Sequence, residues 1–102
     1  MRVRYTESAT SDVEAIYSYI AERNPKAAVA VIGAIEATAA RIGLFPYSAQ
    51  ATDEPNVRMT PAQRYPYLIL YTVAAESVDI LRVLHGAQLR PWEEGRDAED
   101  EK

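Results

Sequence analysis

Few side chains in this sequence can exchange protons or hold the charge of a phosphate. The chain of 102 residues has one histidine and no cysteine, and its two lysines are Lys26, at the start of a predicted helix, and the terminal Lys102. An imidazole has a pKa suited to proton transfer near neutral pH, and a guanidinium stabilises developing negative charge. The groups left for acid–base chemistry or anion binding are Arg58, Arg64, Tyr71, Arg82 and His85.

Each of these candidates has a structural alternative. His85 ends a predicted strand, where it acts either as a general acid or base or as a main-chain hydrogen-bond partner. Strict alternation places His85 and Arg82 on opposite faces of a sheet unless a bulge intervenes, which weakens a shared catalytic site. Arg82 either pairs with an Asp or Glu of a helix or contacts a target. Arg64 precedes a Tyr-Pro turn and is expected to be a solvated loop cation, while Tyr71 is typical of sheet packing.

The composition favours no cofactor and no metal centre. Without cysteine and with a single histidine, only an all-carboxylate metal site is available, and no cluster of carboxylates suggests one. No serine stands in a Gly-x-Ser-x-Gly context. The absence of cysteine is typical of a reducing cytosol, so we expect a cytoplasmic protein.

The elements that must position these residues centre on a β-hairpin. β-Branched and aromatic residues dominate 67–73 and 78–84, and the short gap between them predicts a turn. On the second strand, alternation places Val78, Ile80, Arg82 and Leu84 on one side. Neither face of the hairpin is fully polar, so we expect it in the middle of a sheet. Helices should cover one side and something still to be identified the other.

The remaining segments predict a strand, two helices and a further strand. Residues 2–6 alternate as a strand, and an amphipathic helix runs from Ala9 to near Arg23, capped by Thr6 or Ser8. Asn24 caps a second helix that starts at Pro25 and ends around residues 43–46. Residues 47–56 resemble a surface loop, and 57–60 a short strand, irregular or at an edge, that Pro61 ends.

The predicted order is strand, helix, helix, strand, strand, strand. This order indicates an α+β domain with a helical hairpin on one face of a mostly antiparallel sheet. We expect one domain over 1–92 and an acidic, disordered tail over 93–102. The tail holds six acids and two bases, which accounts for the whole net charge of −4 and leaves a neutral body. No apolar run approaches the roughly 20 residues of a membrane span, so no membrane association is expected.

Three motifs in this order resemble the RelE/ParE superfamily of toxins from type II toxin–antitoxin systems. They are Ala-x-x-Asp-Val-Glu-Ala-Ile-Tyr-Ser-Tyr-Ile at 9–20, Arg-Tyr-Pro-Tyr-Leu-Ile-Leu-Tyr at 64–71 and Ile-Leu-Arg-Val-Leu-His-Gly at 80–86. The resemblance covers about residues 2–92 and favours the ParE (plasmid-stabilisation) branch.

The resemblance implies a bacterial toxin held in a hetero-oligomer with a ParD-like antitoxin encoded beside it. It also implies one of two targets: ParE-like members act on DNA gyrase, and RelE-like members cut messenger RNA on the ribosome. A nuclease needs a base, an acid and clustered cations, and a basic surface to approach the ribosome. Because the chain lacks both, we expect a non-enzymatic gyrase inhibitor with no specific nucleic-acid binding. The ribosome-dependent endoribonuclease is the alternative, and an antitoxin-bound relic that has lost toxicity is a third class that nothing in the sequence excludes.

Two residue sets follow from these expectations. The candidate target contacts are Arg58, Arg64, Arg82, His85, Arg90 and Trp92. The candidate antitoxin contacts, along a groove between the helical hairpin and the sheet edge, are Tyr19, Val29, Val31, Val57 and Met59. Trp92 is expected to pack back on the sheet, because an isolated exposed tryptophan is unfavourable.

Overall fold

Residues 1–86, which the computed structural model describes, form two helices and five strands. The strands and helices follow the predicted order, with one additional short strand. The elements are β1 (Arg2–Tyr5), α1 (Glu7–Ala21), α2 (Pro25–Leu44), β2 (Gln50–Ala51), β3 (Arg58–Pro61), β4 (Tyr67–Val73) and β5 (Ser77–His85).

Both helices begin at the capping residues that the sequence indicated. The Thr6 hydroxyl accepts a hydrogen bond from the Ala9 N–H at 3.1 Å, and the Asn24 side chain accepts one from the Ala27 N–H at 3.1 Å. Pro25 occupies the first turn of α2, where its missing N–H costs nothing. These caps fix where each helix starts, and the short 22–24 connection turns α2 back against α1.

The five strands form one mixed sheet in the order β1-β5-β4-β3-β2. β1 runs parallel to β5, and the other three pairs are antiparallel. The β4–β5 hairpin therefore lies centrally, as predicted. Two helices packed on this sheet confirm the expected α+β fold.

A β-bulge in β5 changes which residues share a face. Leu70 pairs with Arg82 and Tyr71 pairs with Ile80, so Leu81 is left without a partner on β4. The bulge lets Ile80 and Val83, three residues apart, both enter the core. The strict alternation expected for β5 was wrong at this point. Because the bulge precedes both Arg82 and His85, those two residues still lie on opposite faces of the sheet.

The helices cover one face of the sheet only. Their buried side chains join those of β4 and β5 in a single cluster. The fully buried members with the largest side chains are Tyr71, Ile35, Ile69, Ile80, Val78 and Val83. We call this the helix face and the opposite side the outer face.

The region before the hairpin differs from expectation. Gln50 and Ala51 form the short strand β2 inside the segment predicted to be a loop, and they pair with Met59 and Arg58. β3 consequently lies between β2 and β4, and Pro61 is its last residue rather than the residue beyond it. A two-residue strand is too short to show an alternating pattern in the sequence. It is recognised only by its pairing with β3.

α2 is long and apolar enough, by length and composition, to cross a membrane. Its 20 residues contain a window of mean hydropathy 1.6, so the expectation that nothing approached this length was wrong. The buried positions of α2, which include Val31, Ile35, Ala39 and Ile42, pack against the sheet. A core helix gives the same signal as a membrane span, and the packing identifies α2 as a core helix.

Candidate functional site

A cleft of about 370 Å³ opens between α1 and the end of the central hairpin. It is lined by Ala15, Ile16, Tyr19, Tyr67 and His85. Tyr67 and His85 are partners in the β4–β5 register, and their rings meet edge to face with centroids 5.2 Å apart. Burial raises the pKa of Tyr67, with a smaller contribution from Tyr19. The cleft is thus an aromatic and aliphatic surface that contains one imidazole.

Arg82 is held by α1 rather than by this cleft. Its Nε and Nη2 donate to the two carboxylate oxygens of Asp12 at 2.7 and 2.9 Å. The same carboxylate accepts the main-chain N–H of Val83 at 2.9 Å. Asp12 therefore occupies the place of a neighbouring strand at the edge of β5, beyond the point where β1 ends. The hydrogen bond to Asp12 raises the pKa of Arg82, so this side chain stays cationic.

The Thr6 side chain completes this junction between α1 and β5. Its hydroxyl donates to the main-chain oxygen of the bulged Leu81 at 3.1 Å while it caps the helix. The sequence indicated a helix acid as a partner for Arg82 but did not identify Asp12, which lies off the apolar stripe of α1. The available signal was the combination of an acid near the start of a predicted helix, Asp12, with an arginine in a largely apolar strand, Arg82.

Arg58 and Tyr71 both hold the loop that follows α2. The Arg58 Nη1 donates to the main-chain oxygen of Ala49 at 2.7 Å, and its guanidinium lies 5.2 Å from the centre of the Tyr47 ring. The Tyr71 hydroxyl donates to the main-chain oxygen of Pro46 at 2.7 Å. Burial raises the pKa of Tyr71, and the Arg58 charge partly offsets the increase. Because Tyr71 is fully buried, it cannot contact a substrate in this structure.

Arg64, like Arg82, is an exposed cation among the candidates in the described part of the chain. It lies in the turn between β3 and β4 with φ of 78°, a left-handed conformation that side chains rarely adopt. Its side chain is solvent-exposed, as expected for a loop cation. The remaining candidates, Arg90 and Trp92, lie outside the described residues, as does the predicted tail.

The candidate arginines and His85 do not line the same cleft. Among residues 1–86, the cleft beside α1 includes His85 and none of the arginines, and a second cleft of about 270 Å³ includes Arg58 but not His85. No group of three His, Asp or Glu side chains suited to a metal ion occurs within residues 1–86. The described residues therefore present an apolar cleft, two cations that hold the fold (Arg58 and Arg82) and the exposed Arg64 in a separate turn.

Comparison with known families identifies this arrangement. Residues 3–90 match the family described as the ParE toxin of the type II toxin–antitoxin system, parDE. The chain belongs to the ParE toxin family. Membership in this family implies an antitoxin partner. A comparison with curated proteins found no match.

Solved toxin structures share the fold. The chromosomal ParDE system from P. aeruginosa contains a chain that is 22% identical, with a TM-score of 0.75 over 83% of this chain and 95% of that one. The isolated E. coli RelE toxin is 13% identical, with a TM-score of 0.59 over 95% of this chain and 96% of that one. YafQ from E. coli strain BL21(DE3) is 10% identical, with a TM-score of 0.57 over 88% of this chain and 99% of that one. At these identities the likeness concerns the fold alone.

The predicted antitoxin contacts of this ParE-family chain differ in exposure. Tyr19 and Val29 are 61% and 62% exposed, whereas Val57 and Met59 are half-buried. Val31 was predicted as an antitoxin contact, which requires an exposed side chain, but it is 4% exposed and belongs to the core. α2 turns Val31 toward the sheet and Val29 toward solvent.

The exposed aromatic surface extends beyond the predicted set. Tyr17 is 43% exposed on α1, and three residues at and just after the end of α2 are 60–72% exposed: Leu44, Phe45 and Tyr47. Large apolar side chains grouped on a surface are typical of protein–protein contacts. Sequence periodicity missed them because it separates apolar from polar positions, not buried from exposed ones.

Proposed function

We propose that this chain is a ParE-type toxin that inhibits DNA gyrase and is neutralised in the cytoplasm by a ParD-like antitoxin encoded beside it. Family membership supports the toxin role and the antitoxin partner. The gyrase target is the part that extends beyond membership.

The engagement of the candidate catalytic groups carries the gyrase assignment. Strand scission by a 2′-hydroxyl requires an acid, a base and cations that converge on one phosphate. Here Arg82 is bound to Asp12, Arg58 is bound to loop carbonyls, and the hydroxyl of Tyr71 is bound within the core. A side chain already used to hold the fold is available to a phosphate only if that contact breaks. An inhibitor that acts through a protein–protein contact has no such requirement.

The antitoxin is proposed to bind along the helical hairpin through Tyr19 and Val29, and along the sheet beside Val57 and Met59. The cleft between α1 and the hairpin continues this surface, because Tyr19 forms one of its walls. Replacement of Tyr19 and Val29 with glutamate should weaken antitoxin binding in a pull-down of the purified pair. The matched control is Ala37→Glu with Ala40→Glu, which adds the same charge at two other exposed positions of α2. Unchanged affinity in the double variant would remove this part of the proposal.

Expression without the antitoxin tests the target. The expected result is growth arrest with an induced DNA-damage response. In vitro, the purified chain should inhibit supercoiling by gyrase and cause accumulation of cleaved plasmid. Cleavage of a messenger RNA on purified ribosomes, with gyrase unaffected, would replace this proposal with the RelE-like alternative. A chain that permits normal growth and leaves both targets intact would contradict a toxic function.

A further inference from the structure

Three large apolar side chains are exposed together where α2 ends. Leu44, the last residue of α2, is 72% exposed, and Phe45 and Tyr47 are 60% and 66% exposed. We call these three residues the end patch. The 15 residues of α2 between Val29 and Leu44 span about 22 Å. The end patch is therefore separate from the part of the antitoxin surface proposed on the helices.

The loop that carries the end patch is held from below by buried strands. The hydroxyl of the fully buried Tyr71 donates to the main-chain oxygen of Pro46 at 2.7 Å. The Arg58 Nη1 donates to the main-chain oxygen of Ala49 at 2.7 Å. Two strands thus fix the main chain of the loop while its apolar side chains face solvent. A surface ordered in this way loses little conformational entropy when it binds.

Two guanidinium groups border the end patch. Arg41 lies one helical turn before Leu44 and is exposed, and the Arg58 guanidinium lies 5.2 Å from the centre of the Tyr47 ring. Neither forms an ion pair with an acid of residues 1–86. Glu54 lines the cleft of about 270 Å³ that Tyr47 and Arg58 also line, and it offsets one of the two positive charges. The border therefore favours an acidic partner.

These charges and this order restrict the occupant of the end patch. A second copy of the chain would bring like charges together, which is unfavourable across an interface. Aromatic side chains and arginine are the residues enriched in the buried centres of protein–protein contacts. A rigid patch of this composition fits a folded protein whose surface already has a complementary apolar recess with carboxylates at its border.

We propose that the end patch is the surface through which this toxin contacts its target. The inference rests on the proposed function, in which the target is DNA gyrase and inhibition requires a protein–protein contact. Phe45 and Tyr47 enter an apolar recess of the target, and Arg41 meets carboxylates at its border. Tyr71 and Arg58 are positioning residues, since they act by holding the loop.

The position of the end patch also gives the antitoxin a way to neutralise the toxin. Val57, one of the proposed antitoxin contacts, lines the same cleft as Tyr47. An antitoxin bound at Val57 would stand beside the end patch and exclude a large target from it. Binding of the antitoxin and of gyrase should therefore be mutually exclusive.

The first test compares Phe45→Glu with the matched control Ala30→Glu. Both positions are exposed, and Ala30 lies about 21 Å from Leu44 along α2. Each variant is assayed for growth arrest without the antitoxin and for inhibition of supercoiling by purified gyrase. Phe45→Glu should relieve the arrest and raise the half-inhibitory concentration at least about tenfold, whereas Ala30→Glu should change neither. Both should keep the melting temperature of the unaltered chain.

Two further variants separate contact from positioning. Arg41→Glu should slow association with gyrase and reduce its dependence on salt, because charges at the rim of an interface act mainly on the rate of encounter. Tyr71→Phe removes the hydroxyl that holds Pro46 and should weaken inhibition several-fold. It should have no further effect when Phe45→Glu is already present, because the two changes then act on one contact.

The outcomes distinguish this inference from the proposed function. Equal inhibition by Phe45→Glu and the unaltered chain would overturn the inference and leave the gyrase target in place. Growth arrest that Phe45→Glu relieves, by a chain without effect on gyrase, would contradict the gyrase target and support the end patch as the target contact. Loss of antitoxin binding in Phe45→Glu with unchanged arrest would overturn the inference, because the antitoxin would then be the occupant. A dimer that Phe45→Glu converts to a monomer, with inhibition unchanged, would overturn it in favour of a second copy.

Discussion

The carboxylate of Asp12 joins the first helix to the last strand, and its removal should cost more than the removal of its ion-pair partner. Asp12 is 16% exposed at its side chain, and Arg82 is 49% exposed. The Arg82 pair is therefore screened by solvent and contributes about 0.5–1 kcal/mol. The Val83 N–H lies on a residue that is 2% exposed and has Asp12 as its acceptor, so leaving it unpaired costs about 1–3 kcal/mol.

These contributions predict an order among three variants. Asp12→Ala should lower the free energy of unfolding by about 2–3 kcal/mol, because both interactions are lost. Asp12→Asn keeps an oxygen that can accept the Val83 N–H, and Arg82→Ala removes only the exposed pair. Each of these should cost about 1 kcal/mol or less.

Urea unfolding followed by far-UV circular dichroism measures the order, with the slope of each transition checked for two-state behaviour. The double variant Asp12→Ala with Arg82→Ala should be no less stable than Asp12→Ala alone, since the two side chains share one interaction. An Arg82→Ala variant as unstable as Asp12→Ala would refute the reasoning. If Arg82→Ala instead abolishes toxicity with little loss of stability, the target-contact role of Arg82 becomes the better assignment.

Three further predictions follow from the geometry. Gly43→Ala would place a methyl group 2.8 Å from the main-chain oxygen of Met1. The free energy of unfolding should therefore fall by about 1–3 kcal/mol, which a lower melting temperature would show. An unchanged melting temperature would contradict the close approach. Arg64→Gly should raise stability by up to about 1 kcal/mol because it relieves the left-handed backbone, whereas the control Arg64→Ala should not. Burial raises the pKa of Tyr71, so the folded chain retains this proton above the unfolded value of about 10. The resulting stability is complete below about pH 10 and is lost as pH rises through the folded pKa. Tyr71→Phe should flatten that loss, as measured by urea unfolding between about pH 8 and 11, and an unaltered pH dependence would contradict the assignment.

The sequence predicted the elements whose signals are local. Asn24 before Pro25 fixed the start of α2, because a cap and a proline act on the first turn alone. β4 was predicted with its observed bounds, since seven β-branched, aliphatic and aromatic residues end at a turn. β5 is one residue longer at each end than predicted, because His85 pairs with Tyr67 of β4 and Ser77 pairs with Arg2 of β1.

Features that depend on distant partners were not predictable in the same way. β2 exists because β3 lies beside it, and the bulge at Leu81 arises from how β5 fits β4. The role of Asp12 depends on a strand 70 residues further along the chain. Val31 shows the same limit within one helix, since an apolar stripe does not reveal which of its edges meets the sheet. The candidate site was therefore predicted as a set of residues, but their separation into structural roles was not.

The parallel pairing of β1 with β5 has a consequence for synthesis. Arg2–Tyr5 are made more than 70 residues before Ser77–His85, the strand with which they pair within residues 1–86. Contacts between such distant segments require closure of a long loop before they contribute free energy, so they form late. β1 therefore stays unpaired until β5 has been translated. Until then the sheet is incomplete, and the nascent toxin does not yet have its folded structure.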